Sequence, residues 1–189
     1  MVEKFLFEYQ GLKSRWDHII TDSSKTIIQS CLNQILWSHH IRSFESSEWG
    51  ELTDFSALQD KIQNESKARI MGIMDQLPET IKSLQDVYNS LLDNIEILGD
   101  KNPLLSAEES RINSFMDALK EAYGNELKLK KKVVDFLNNC DYLNLPYDVI
   151  VTIGDMWSSK VYINNRMIGH VEKFLEFEVN GLKALMSEK

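Results

Sequence analysis

A chain of 189 residues is long enough for one medium domain or for two small helical layers sharing a core. Its formal net charge of -8 leaves no basic footprint for nucleic acid or an anionic membrane at the level of the whole chain. Only 8 Gly and 3 Pro punctuate it, fewer turn residues than a sandwich or an α/β sheet of this size needs, so a few long helices are predicted.

The first segment, about 3–41, has helical periodicity. Phe5, Tyr9, Leu12, Trp16 and Ile19 recur in steps of four and three, and Ile27, Cys31 and Ile35 continue an apolar face. Between them Thr21, Asp22, Ser23 and Ser24 favour caps and turns, so the helix bends or restarts there. Taken with its flanks, 1–42 reads as an N-terminal amphipathic helix. The stretch 43–53 mixes Ser, Glu and Gly with Phe44 and Trp49 and reads as a loop. Trp49 is either tucked over the bundle or exposed for a partner.

The strongest pattern follows, in a predicted helical hairpin over 54–140. Ile70, Met74, Leu77, Ile81, Leu84, Tyr88, Leu91, Ile95 and Leu98 alternate in steps of four and three, the a/d spacing of a coiled-coil seam. Pro78 interrupts the region and either starts a second helix or kinks one long helix; the unbroken heptad phase favours the kink. Gly99 through Pro103 form a stop. Ser106 and Glu109 match a capping box that starts the next helix. That helix ends near Asn138 and Asn139, with Phe115, Leu119, Ala122, Leu129, Val133 and Phe136 on one face and Glu126 its single polar member.

The segment 141–189 is predicted as C-terminal helices packing on the bundle. Residues 147–153 are rich in β-branched side chains and fit a strand by propensity. Asn144 and Pro146 at the start favour helix, and Val149, Ile150, Ile153, Met156 and Trp157 share one helical face. A last helix covers about 163–185, with Met167, Val171, Phe174, Leu182 and Leu185 inward. The expected fold class is therefore all-α, an elongated helical bundle with a long coiled-coil-like hairpin.

Chemistry is sparse. No GxGxxG, GxxxxGK[ST] or GxSxG occurs, and no catalytic residue, cofactor or metal is expected. Adjacent His39 and His40 point about 100° apart on a helix and cannot easily share an ion. Cys31 and Cys140 lack CxxC spacing, which fits a reducing compartment. The N-terminus has no secretory pattern, and no run reaches the roughly 18 apolar residues of a membrane span. Nuclear or cytoplasmic location is expected.

What remains are surfaces. Lys128, Lys130, Lys131 and Lys132 form one basic cluster, with Lys128, Lys131 and Lys132 away from the apolar stripe, as a solvated face or an acidic-partner dock. Aromatics for base stacking do not accompany them, so direct nucleic-acid binding is not expected. Met156, Trp157 and Tyr162 flank a polar Ser-Ser-Lys turn where two helices meet, and the Trp157 and Tyr162 rings either lock that junction as core or face a partner. With Trp49 and the three lysines, they are the candidate partner-binding residues.

The run from Glu126 to Val134, then Asp155-Met156-Trp157, then Val161-Tyr162 and a closing amphipathic helix resembles the C-terminal part of the cyclin-dependent kinase 2-interacting protein family. The stripe ending in Trp16 and the Leu91–Leu98 segment are compatible with the same order of elements. That resemblance implies a small non-enzymatic helical subunit linked to DNA replication and genome maintenance. It implies kinase, checkpoint or AAA ATPase partners and carries over no catalytic residue. The residues themselves favour a helical adaptor or complex subunit. The alternative is a structural coiled-coil subunit, as in a kinetochore-like assembly, whose seam pairs with a sister helix to form a homo- or hetero-oligomer.

Overall fold

The computed structural model describes residues 2–43, 56–100 and 106–187. The protein is all-α, with no strand among the described residues. In chain order run α1 (Val2–Ser23), α2 (Gln29–Ser43), α3 (Ser56–Met74), α4 (Leu77–Asp100), α5 (Ser106–Asn139), α6 (Tyr147–Ser158) and α7 (Asn165–Ser187).

The expected irregularity near residues 21–24 takes a specific form. A π-helical turn, Ser24–Ile28, joins α1 to α2. Ser23 Oγ donates to the Ile20 carbonyl at 3.2 Å and Thr26 Oγ1 to the Asp22 carbonyl at 2.7 Å. Side-chain bonds of this kind compete with the regular ladder and widen the helix without ending it.

At Pro78 the kink expected in one helix is instead a break between two. α3 stops at Met74, and Gln76 closes a tight turn by donating to the Ile73 carbonyl at 3.2 Å. α4 opens at Leu77, which puts Pro78 in its first turn, where a missing N–H costs nothing. On either side of the break the periodic positions Ile70, Met74, Leu77, Leu84, Leu91, Ile95 and Leu98 are buried, while Ile81 and Tyr88 are half-buried. Gly99 does not lie beyond α4, which continues through it to Asp100. The side chains of the Ser106–Glu109 capping box lie outside the described residues.

Of the two readings of residues 147–153, the structure shows the favoured one: they belong to α6, which starts after an extended Pro146. Proline locks φ and blocks a preceding turn, which outweighs the β propensity of Val149, Ile150 and Val151. On α5 the buried face passes through Met116, Leu119, Tyr123, Glu126, Lys130, Val134 and Leu137, which leaves Phe136 exposed. Leu119, Ala122, Glu126 and Val133 of the expected stripe are buried, and the buried face widens to include Tyr123 and Lys130.

The chain divides into two compact units, and the segments expected in chain order do not map singly onto them. Unit one contains Met1–Ile19, Lys82–Leu129 and Lys160–Lys189; unit two contains Ile20–Ile81 and Lys130–Ser159. In unit one, Tyr9, Trp16, Leu84, Leu91, Leu119, Tyr123, Ile168 and Val171 are buried. Phe115 and Phe174 meet at 5.1 Å between ring centroids. Tyr88 lies against Gly124 and donates its hydroxyl to the Lys120 carbonyl at 3.4 Å, so α4 and α5 lie side by side there.

Unit two has one hydrophobic cluster that includes Ile28, Cys31, Ile35, Leu77, Leu137 and Trp157. Here α2 and α3 are joined by polar groups. Gln34 Nε2 donates to Ser66 Oγ at 2.6 Å, and the buried Ser38 and Ser66 hydroxyls bond each other. Gly154 lets α6 approach α2 closely, since a Cβ there would lie 3.0 Å from Leu32 Cδ1.

Candidate functional site

Met156 and Trp157 lie at the end of α6 in unit two, and Tyr162 lies on the connector to α7 in unit one. α6 terminates with the Ser159 N–H on the Asp155 carbonyl at 2.9 Å. Its last carbonyls need donors, as at any helix C-terminus. In unit two Lys130 supplies them. Its side chain is fully buried, and Nζ donates to the Met156 carbonyl at 2.7 Å and the Ser159 carbonyl at 2.8 Å. A cation at the negative end of the helix dipole strengthens this cap. Trp157, also fully buried, donates its indole N–H to Ser23 Oγ at 3.0 Å.

In unit one the connector is held by a second buried charge. Glu126 Oε2 accepts the Tyr162 backbone N–H at 2.8 Å. Just before it, Lys160 Nζ meets Asp17 Oδ1 at 2.6 Å; just after, the Asn164 side chain accepts the Arg166 N–H at 2.9 Å. Val161 and Tyr162 therefore project from a connector anchored on both sides, and the Tyr162 residue is 47% exposed.

Beside this anchor unit one collects its polar aromatic groups. Tyr9, Trp16 and Tyr123 are buried, with Trp16 and Tyr123 edge to face at 5.1 Å. Lys13 Nζ pairs with Glu172 Oε1 at 2.7 Å. Burial pushes the Tyr123 phenol up to about 12. The Tyr9 phenol also moves upward, first from burial and second from Tyr123 beside it. Both phenols therefore stay protonated near neutral pH, as hydrogen-bond donors and not as bases.

The described candidate residues are divided between the two units. Trp157 is a core residue of unit two, the first of its two expected places and not the partner surface; the Ser23 hydroxyl makes burial of the indole N–H tolerable. Met156 is half-buried against the same core. Tyr162 belongs to unit one and is exposed, and Lys128, Lys131 and Lys132 are exposed on α5. Lys130 leaves the basic cluster for the core. Trp49 lies outside the described residues.

Glu126 and Lys130 were missed as anchors, although a signal existed. Glu126 interrupts an apolar stripe, and a charge on a stripe is either exposed by a register change or buried with partners. Asp17, Lys13, Lys160 and Glu172 had no such signal, because each pairs across more than a hundred residues of sequence.

No group of three or more potential metal ligands occurs among the described residues. His39 donates from Nε2 to the Tyr142 carbonyl at 2.7 Å, and exposed His40 lies beside Trp37. No helix among the described residues is long and apolar enough to cross a membrane. No family model, curated protein or solved structure matches the chain.

Proposed function

We propose that this all-α chain is a non-enzymatic helical adaptor or complex subunit that acts by binding other proteins. The observation that carries the reading is large apolar side chains left in solvent on helix surfaces. In unit one Phe7 on α1 is 78% exposed and Phe177 on α7 is 73% exposed. Each ring stands on the face opposite its helix's buried residues, where it adds nothing to the core and costs hydration. The side chains with the most chemical potential are occupied in the fold: Lys130 caps α6, Glu126 holds the connector, and Asp17 and Glu172 face lysines.

The resemblance of the Glu126–Val134, Met156-Trp157 and Tyr162 segments supplies the class of partner. We infer kinase, checkpoint or AAA ATPase-containing assemblies in DNA replication and genome maintenance, in the nucleus or cytoplasm. A coiled-coil subunit that pairs through its seam is the weaker reading, because Leu77, Leu84, Leu91, Ile95 and Leu98 are buried within a single chain. These side chains are therefore already covered and not offered to a sister helix.

Affinity purification with mass spectrometry tests the proposal, with the full chain compared with Phe7→Glu, Phe177→Glu and Tyr162→Ala. A kinase or ATPase assembly should be recovered with the wild type. It should be lost with at least one variant whose melting temperature is unchanged. Recovery indifferent to all three substitutions, or no stoichiometric partner at all, overturns the reading.

A further inference from the structure

The solvent face of α7 carries a pattern that the fold does not use. Arg166, His170, Lys173 and Phe177 follow one another at spacings of four, three and four, which lines them along a single stripe. All four are exposed, Phe177 to 73%, while Ile168, Val171 and Leu175 on the opposite face are buried in unit one. At the rise of an α-helix the stripe is about 16 Å long.

Its basic groups do not hold the fold together. Unit one pairs Lys13 with Glu172 and Lys160 with Asp17, but none of Arg166, His170 and Lys173 forms an ion pair among the described residues. Arg166 also stands in the first turn of α7, which holds no acidic residue. The amide dipoles make that end of a helix positive, so a cation there is disfavoured. We infer that this stripe docks an acidic amphipathic helix of a partner protein, whose carboxylates accept from Arg166, His170 and Lys173 and whose apolar side chain covers Phe177. The inference rests on the adaptor reading and adds the chemistry of the partner at α7.

A helix fits because it repeats the same spacing: Asp or Glu at intervals of four and three lies along one ridge. Exposed ion pairs contribute little by themselves, so covering Phe177 supplies most of the affinity and the charges set direction and register. A duplex or a bilayer fits less well. Such an extended anionic surface would also meet the rest of a chain whose net charge is -8, whereas a single helix touches only the stripe.

Peptide display on the immobilised full chain tests this, with a library of helical peptides randomised along one face. Selected peptides should carry Asp or Glu at intervals of four and three beside a large apolar residue. Their affinity, read by fluorescence anisotropy, should fall about tenfold or more with Phe177→Ala and with Arg166→Glu/Lys173→Glu. Arg166→Glu alone should lose affinity yet melt at or above the wild-type temperature, because an acid suits the first turn. Selection of basic or uncharged peptides, no selected binder, or binding indifferent to these variants overturns the proposal. So does tighter binding of single-stranded DNA or phosphatidylserine vesicles that is lost in the double variant. If the peptides fail while affinity purification still recovers an assembly that Phe7→Glu abolishes, only the α7 dock falls and the adaptor reading stands.

Discussion

Trp157 and Ser23 stand 134 residues apart in sequence and share a buried hydrogen bond, indole N–H to hydroxyl, at 3.0 Å. Ser23 is the residue just before the π turn, and Trp157 is in the last turn of α6. A side chain chosen by sequence for binding is thereby committed to the core of unit two. Trp157→Ala should cost about 3–5 kcal/mol through lost burial and a residual cavity. Ser23→Ala, which strands only the indole N–H, should cost about 1–3 kcal/mol. Urea unfolding of the two variants checks the ranking, and equal losses would show that the hydrogen bond contributes nothing separate.

The buried lysine makes a second prediction. Lys130→Met keeps the apolar stem and removes the ammonium, leaving the Met156 and Ser159 carbonyls without this donor. Stability should fall by about 2–3 kcal/mol despite the more apolar side chain. Glu126→Gln keeps an oxygen able to accept the Tyr162 N–H and should be milder than Glu126→Ala. Thermal melts of the three variants decide it, and a Lys130→Met protein more stable than wild type would show that the cap is not needed.

Glycines give a paired test with opposite signs. A Cβ at Gly124 would lie 2.9 Å from Tyr88 Oη and 3.3 Å from its Cζ, so Gly124→Ala forces the Tyr88 ring to move. It should destabilise, and Tyr88→Phe in the same chain should recover part of the loss by removing the nearest atom. Gly11 is in α1 with nothing within 4 Å of a Cβ. Gly11→Ala should therefore stabilise by about 0.5–1 kcal/mol through helix propensity. Melting temperatures of the variants separate the cases; a gain at Gly124 as large as that at Gly11 would refute the close contact.

Cys31 and Tyr123 predict a loss of stability in alkali. Burial pushes the Cys31 thiol from its ordinary 9.0 up to about 12, and Tyr123 from 10.0 to about 12. A group whose folded value is raised holds its proton more tightly in the folded state. The unfolded chain releases protons first, so stability is complete below about pH 9 and declines toward pH 12. Urea midpoints measured from pH 8 to 11 should fall, and less steeply in Cys31→Ala. In the folded protein at pH 8, iodoacetamide should label half-buried Cys140 before buried Cys31.

The helices themselves could be read from sequence because helix formation repeats a local geometry. An apolar residue every three or four positions marks a buried stripe whatever covers it, and Tyr9, Trp16, Leu84 and Leu91 are buried as their spacing requires. Proline acts locally too, so Pro146 marked the start of α6. At Pro78 the same local rule competed with the heptad phase: spacing alone cannot distinguish a kinked helix from two helices joined by a two-residue turn.

The roles of individual polar and aromatic residues depended on tertiary contacts. Nothing within a few residues of Trp157 says that Ser23 will meet its indole, and nothing beside Lys130 says that the end of α6 will bring it two carbonyls. A polar group is buried or exposed according to whether a distant segment supplies its partner, because desolvation without one costs more than the fold can recover. Periodicity therefore determined that this chain is helical and where most of its core lies. Only the packing of its helices decided that Trp157 and Lys130 hold the structure together while Tyr162, Phe7 and Phe177 face the solvent.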